Sequence, residues 1–237
     1  MLISQQLVKR EAEVPMPVVA TDYVYAIAHL PIGAVLRADG VSWEEYESLL
    51  ADLGDSYSAR IFYDSGRMEI MAPTYLHDKS SSIIFVLIGA LRDELDIDIE
   101  GCGSTTLKDE LIEKGAEPDE AFYVQNAERI IGNETLDLRH DPPPDLVIEV
   151  DRTSSSLDKF AIYAALGVPE IWRLFKGEIS FHHLIDGRYQ QSVHSRAFPF
   201  LSAPTLIEFV TRGLTEGERK AAKAFRAWVR QTRQPGS

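Results

Sequence analysis

Hydrophobic positions change period several times along the chain, and each change marks an element. Ser42 followed by Glu45 has the spacing of a capping box, and the run SWEEYESLLADLG reads as a helix ending near Gly54. ARIFYDSG and RMEIMAP read as two short strands around an Asp64-Ser65-Gly66 turn, with Pro73 ending the second. Ile84, Leu87, Ile88, Leu91 and Leu95 then form a helical stripe within HDKSSSIIFVLIGALRDELDI. IDIEGCGSTTL reads as a strand, LIEKGAEPDEAFYVQ as a loop and then a strand starting near Pro118, and 126–143 as a polar, turn-rich connection. In PPPDLVIEVDRT, Leu146, Val147, Ile148 and Val150 make the near-continuous aliphatic run of a strand buried on both faces.

SSSLDKFAIYAALG follows as a helix capped by a serine and stopped by Gly167. VPEIWRLF is a further apolar strand. EISFHHLI and GRYQQSV pair around Asp186-Gly187, and helices at roughly 205–213 and 215–232 close the chain. Residues 1–40 show no clear period and contain Pro15, Pro17, Pro31 and Gly33, which suggests an irregular arm with a short helix near Asp22–Ala28. Three segments are therefore expected: the arm at 1–40, a main domain at 41–213 and a terminal helix at 214–237. The element order predicts an α/β (α+β) domain with a central mixed sheet flanked by helices and an added C-terminal hairpin and helices.

Composition changes this picture little. The chain has 237 residues, 45% hydrophobic and 26% charged, which is ordinary for a globular protein. A single cysteine, Cys102, rules out an internal disulfide and fits a cytoplasmic setting. Neither a secretory leader nor an apolar run long enough for a membrane span is legible, so no membrane association is expected. Charge is more informative. A net charge of −13 opposes any role that coats nucleic acid, which needs a basic footprint. The exception is the last helix, where positions 219, 223, 226, 230 and 233 place five cations on one face opposite Ala221, Phe225, Trp228 and Val229. That face is either a solvated surface or a contact for nucleic acid or a partner.

Candidate chemistry rests on acidic residues in apolar strands. Glu69 lies inside RMEIMAP, Asp119 just after a proline at the start of a strand, and Glu149 inside LVIEV. A carboxylate in such a strand is costly unless it is paired, protonated or metal-bound. The alternative for Glu149 is an end-of-strand side chain meeting solvent or an arginine. Lys159 follows on the next helix, where it either returns over the strand end or stays an ordinary surface lysine. Asp119 and Glu149 offer the hard oxygen donors suited to Mg²⁺, with Mn²⁺ as a substitute, and a lysine beside them could orient water or stabilise developing charge. His77 is either a base or second contact to the site, or a surface histidine. His182 and His183, adjacent on a strand, point to opposite faces and read as structural. Cys102 reads as a small core residue.

The segments GRMEIMAP with His77 downstream, GSTTL, EPDEAFYV, PPPDLVIEVDRTSSSLDKFAIYAALG and GVPEIW, in this order, resemble the Uma2 family of restriction-endonuclease-like proteins, over roughly residues 40–210. The resemblance implies a PD-(D/E)XK nuclease fold for 41–213 and Mg²⁺-dependent cleavage of DNA phosphodiesters. It implies metal binding by Asp119 and Glu149, and catalytic roles for these two, for Lys159 on the following helix and for Glu69 in the first-motif strand. In the plain (D/E)XK pattern the lysine would stand at 151, where this chain has Asp151. The alternative on the same fold is a catalytically inactive nucleic-acid or protein binding module. Nucleases that cut both strands often act as two-fold dimers, and the pair 178–193 offers an edge for a homodimer.

Overall fold

The structure is a computed structural model that describes residues 20–54, 57–151 and 157–233. Two sheets carry the fold. The first has the order β1-β3-β2-β6-β5, built from β1 (Val35–Asp39), β2 (Arg60–Asp64), β3 (Arg67–Met71), β5 (Leu107–Asp109) and β6 (Lys114–Ala116). All its pairings are antiparallel. The second has the order β11-β10-β9-β8-β7-β4, from β4 (Glu100–Gly101), β7 (Glu120–Tyr123), β8 (Leu146–Asp151), β9 (Glu170–Phe175), β10 (Glu178–Ile185) and β11 (Arg188–Ser192). It is mixed: β8 and β9 run parallel, with Glu149 opposite Arg173, and the other pairings are antiparallel.

Three apolar clusters join the sheets to the helices. Helices α3 (Tyr75–Leu95), α5 (Ala203–Glu216) and α6 (Glu218–Thr232) cover one face of the second sheet, where Ile148, Val150 and Trp172 meet Ile84, Leu87, Val210 and Phe225. The opposite face of that sheet presents Val147 and Ile171 to α4 (Lys159–Ala165) and to Phe62 of β2. The first sheet turns Ile61, Tyr63, Met68 and Ile70 towards α2 (Trp43–Leu53) and α1 (Ala20–Ala28). The alternation within β2 and β8 thus sends successive side chains into different cores. This gives the mixed α/β architecture expected from the element order.

Local signals work where their partners are adjacent in sequence. Glu45 N–H donates to Ser42 Oγ at 3.2 Å and Ser42 N–H donates to Glu45 Oε2 at 2.7 Å, closing the capping box. The turn between β2 and β3 has φ 45° at Ser65 and 88° at Gly66, the left-handed pair that a two-residue hairpin demands.

Several expectations need correction. Residues 35–39 are not part of an irregular arm, because β1 pairs with β3 from Val35↔Met71 to Asp39↔Arg67. Its five residues are too few to show a period, and only the partner strand makes them a strand. The short helix expected near Asp22–Ala28 is present as α1 (Ala20–Ala28), and residues 1–19 lie outside the described residues. IDIEGCGSTTL is not one strand but two short ones in different sheets, broken by a turn with φ 57° at Gly103. Lys114–Ala116, read as loop, is β6. The helix after β8 is capped by Asp158, whose Oδ1 accepts from Ala161 N–H at 3.2 Å. The serines expected to cap it, 154–156, lie outside the described residues. The boundary expected at 213/214 falls inside α5, which runs to Glu216 and breaks at Gly217 with φ 97°.

The basic face of the last helix has largely found its partner within the chain. Arg226 and Arg230 pair with Asp93 and Glu94 at the end of α3, each at 2.6 Å, and Arg233 donates to the Glu94 carbonyl at 3.1 Å. Hydrogen bonding from these arginines holds both carboxyls below the usual range. A depressed folded-state pKa adds stability above the ordinary carboxylate value of about 4 and loses it as the pH falls lower. Glu94→Gln is therefore expected to lower the melting temperature slightly at neutral pH, and the gap from wild type should close below about pH 4. A calorimetric pH series checks this.

Candidate active site

Strand β8 enters the core at Leu146 and reaches the sheet's edge at Asp151, which is only partly exposed. Because β7 is antiparallel to β8, Asp119, one residue before β7, arrives beside the end of β8. Val150 N–H donates to Asp119 Oδ2 at 2.7 Å and so locks the two together. The following helix returns Lys159 over the strand, where its Nζ donates to Glu149 Oε2 at 2.6 Å and to Asp151 Oδ1 at 3.1 Å. Lys159 is 7% exposed, so it is no surface lysine. Its Nζ also sits 4.2 Å from the centre of the Phe62 ring. Tyr163, one helical turn later, donates its hydroxyl to Glu149 Oε1.

Four further side chains frame this group. Arg173, opposite Glu149 in the parallel register, donates to Asp151 Oδ2 at 2.7 Å. Arg60, at the start of β2, brings Nε within 3.5 Å of Asp119 Oδ1. His77 enters from α3, and its Nε2 lies 3.1 Å from Asp119 Oδ2, at ion-pair distance but misaligned for a hydrogen bond. With 3% exposure, His77 belongs to the site and not to the surface. Glu120 adjoins Asp119, with its carboxylate 3.5 Å from Ser81 Oγ.

Burial and crowding set the charge states. Burial pushes the Glu149 carboxyl up, Lys159 pulls it down, Asp119 and Asp151 push it up again, and the net value is about 7. Burial likewise raises Glu120 to about 7, against Arg60 and with Asp119. Burial disfavours the Lys159 ammonium, but Glu149, Asp151 and Asp119 outweigh it and the pKa rises. Lys159 is therefore held protonated and cannot serve as a general base. Burial raises Asp151, while Lys159 and Arg173 bring it below its usual value. For His77, burial lowers the pKa, and Asp119 followed by Asp78 more than offset it, so the net shift is upward.

Asp119, Glu149 and Lys159 are thus brought together. Glu69 is not brought in as a third ligand. It is buried on β3 opposite Phe62 and pairs with Arg37 Nε at 3.2 Å. Among the described residues no group of three or more His, Cys, Asp or Glu is placed to hold a metal. Arg60, Arg173, Tyr163 and Glu120 were not singled out in the sequence. Tyr163 had a signal, since it shares a helical face with Lys159; the arginines had none, because only strand pairing brings them here.

Glu170 shows why a carboxylate in an apolar strand is an ambiguous sign. It is 0% exposed in β9, yet it accepts from Trp172 Nε1, Ser195 Oγ and the N–H groups of Arg196 and Ala197 at 2.9–3.1 Å. His183 Nε2 adds an ion-pair contact at 3.4 Å. These donors pin the loop after β11, and the role is structural. Glu170→Gln is expected to cost about 2–4 kcal/mol, since the amide cannot accept from all of these donors. Urea titration checks it, and an unchanged midpoint would remove the assignment.

The model of a family described as "Putative restriction endonuclease", Uma2, matches residues 43–215. The chain belongs to the Uma2 family. The match spans the carboxylates, Lys159, both sheets except β1, and α5 up to its last turn. Among solved structures, one titled as a putative nuclease from Anabaena variabilis is similar at 14% identity with a TM-score of 0.48, over 70% of this chain and 97% of the other. No curated protein matches the chain. Among the described residues, no helix is long and apolar enough to cross a membrane.

Proposed function

We propose that this Uma2 protein is a metal-dependent endonuclease that hydrolyses DNA phosphodiesters at the Asp119–Glu149–Lys159 cluster. The observation that carries the reading is a buried lysine held 2.6 Å from the buried Glu149 carboxylate and 3.1 Å from Asp151, with Asp119 locked to the same strand end through Val150 N–H. Perturbed ionisable groups of opposite sign converging at a strand end are typical of active sites.

The residues fit a divalent cation. Asp119 and Glu149 supply hard oxygens, and each carboxylate retains lone pairs beyond those used by Val150 N–H, Lys159 and Tyr163. Two carboxylates completed by water and phosphate is the usual protein share of a Mg²⁺ site. The excess of carboxylates that raises Glu149 is also the field a dication would relieve. Such an ion, Mg²⁺ or Mn²⁺, would polarise a phosphoryl oxygen and acidify bound water.

The chain's own groups do the rest. Lys159 places a fixed positive charge where the phosphorane oxygens gain negative charge. Tyr163 and Asp151 hold Glu149 and Lys159 in position. Arg60 and His77 hold Asp119, and Arg173 holds Asp151. The lysine absent at position 151 is thus supplied from α4, ten residues after Glu149, and this favours an active enzyme over an inactive binding module on the same fold. The test is supercoiled plasmid and single-stranded DNA with Mg²⁺, with Mn²⁺ and with EDTA. Nicking that requires the ion is expected. A folded protein that cuts neither substrate under any of these conditions would leave the binding-module reading in its place.

A further inference from the structure

A cavity of about 290 Å³ opens beside the carboxylates, where parallel strands β8 and β9 end between α3 and α5. Its walls are Val150, Leu174, Ile207, Val210 and Leu214, with His77 at the side that faces Asp119. Three residues belong to both sites, one of them Asp151, which lines the cavity and bonds Lys159 and Arg173. Val150 lines the cavity and bonds Asp119 through its N–H, and His77 lines it with Nε2 3.1 Å from the same carboxylate. Ligands of open α/β sheets bind in the crevice at the carboxyl ends of the strands, and this cavity occupies that place.

We propose that the cavity receives an unpaired nucleobase next to the scissile phosphate, so that the substrate is single-stranded or locally unpaired nucleic acid and not intact duplex. The inference rests on the nuclease reading and narrows its substrate. Two independent observations carry it. One is the apolar lining joined to the carboxylate site, since base faces pack against apolar walls in such pockets. The other is charge. Duplex binding draws its affinity from neutralising many phosphates, whereas this chain carries −13 and ties Arg226, Arg230 and Arg233 to α3. With the net charge negative and these three arginines engaged, more of the affinity has to come from bases, and a paired base must first be unstacked at a cost of a few kcal/mol. Lys176, also on the cavity wall, would supply the cation for the neighbouring phosphate.

Thr211 and Leu214 lie on the exposed side of α5 at the cavity wall and take no part in the carboxylate cluster. Thr211→Trp and Leu214→Trp would fill the space. The experiment is fluorescence anisotropy of a labelled single-stranded oligonucleotide and of its duplex, with Ca²⁺ in place of Mg²⁺, on wild type and both variants after their melting temperatures are matched. The single strand is expected to bind at least about tenfold tighter than the duplex, and each tryptophan to remove about tenfold of that while duplex binding is unchanged, the scale of one base's stacking. Equal binding of both forms, or variants that leave the preference intact, would overturn the base pocket while metal-dependent cleavage stands. Failure to bind either form, with no cleavage, would remove the nuclease reading itself.

Discussion

Glu149→Gln is expected to lower metal-dependent cleavage by at least about 10²-fold while leaving the fold in place. The amide removes a charged oxygen donor for the cation and half of the carboxylate pair. It keeps the shape, so the amide oxygen can still accept from the Lys159 Nζ, while the amide NH2 can donate to the Tyr163 hydroxyl oxygen. Lys159 also retains Asp151 at 3.1 Å. Stability should change little, because the charge removed is one that burial and the neighbouring Asp119 and Asp151 already disfavour. Plasmid nicking and thermal melting on the same preparation separate the two effects. Full activity in this variant would take Glu149 out of the site.

Lys159→Ala should do more, and to both properties. It removes the cation that Glu149 and Asp151 share, leaving Glu149 buried without its charged partner, with Arg173 still on Asp151. Breaking a buried ion pair from one side costs about 3–5 kcal/mol, and loss of a preorganised charge at the reacting phosphate costs about 10²–10³ in rate. The double variant Lys159→Ala/Glu149→Gln distinguishes these roles. It should recover most of the lost stability, since no buried charge is then stranded, and none of the activity. Denaturant titration of the four proteins closes the cycle. If Lys159→Ala keeps its activity, lysine assistance is excluded whatever the stability shows.

How much of this was legible in the sequence differs by element. The capping box at Ser42, the hairpin at Ser65-Gly66, the stripe of α3 and the buried strand around Ile148 are all set by neighbours within a few residues, and local chemistry states them unambiguously. The resemblance carried by EPDEAFYV and PPPDLVIEVDRTSSSLDKFAIYAALG pointed to Asp119, Glu149 and Lys159, and the structure does bring these three together. The short strands Val35–Asp39 and Lys114–Ala116 were not legible, because so few residues carry no period and owe their conformation to ladders with distant partners.

The same limit governs the site. Glu69, Glu149 and Glu170 look alike in sequence, each a carboxylate in an apolar strand. Tertiary contacts separate them: Arg37 pairs with Glu69, a fan of loop donors satisfies Glu170, and Lys159 with the nearby Asp119 distinguishes Glu149. By itself the sequence determined the long helices, the longer strands and the family, and it pointed to Asp119 and Glu149. Only the tertiary structure decided which charges meet, which arginines hold them, and that the basic face of α6 lies against α3. The physical reason is that charge pairing and burial act through space over a few ångströms, whatever the separation along the chain.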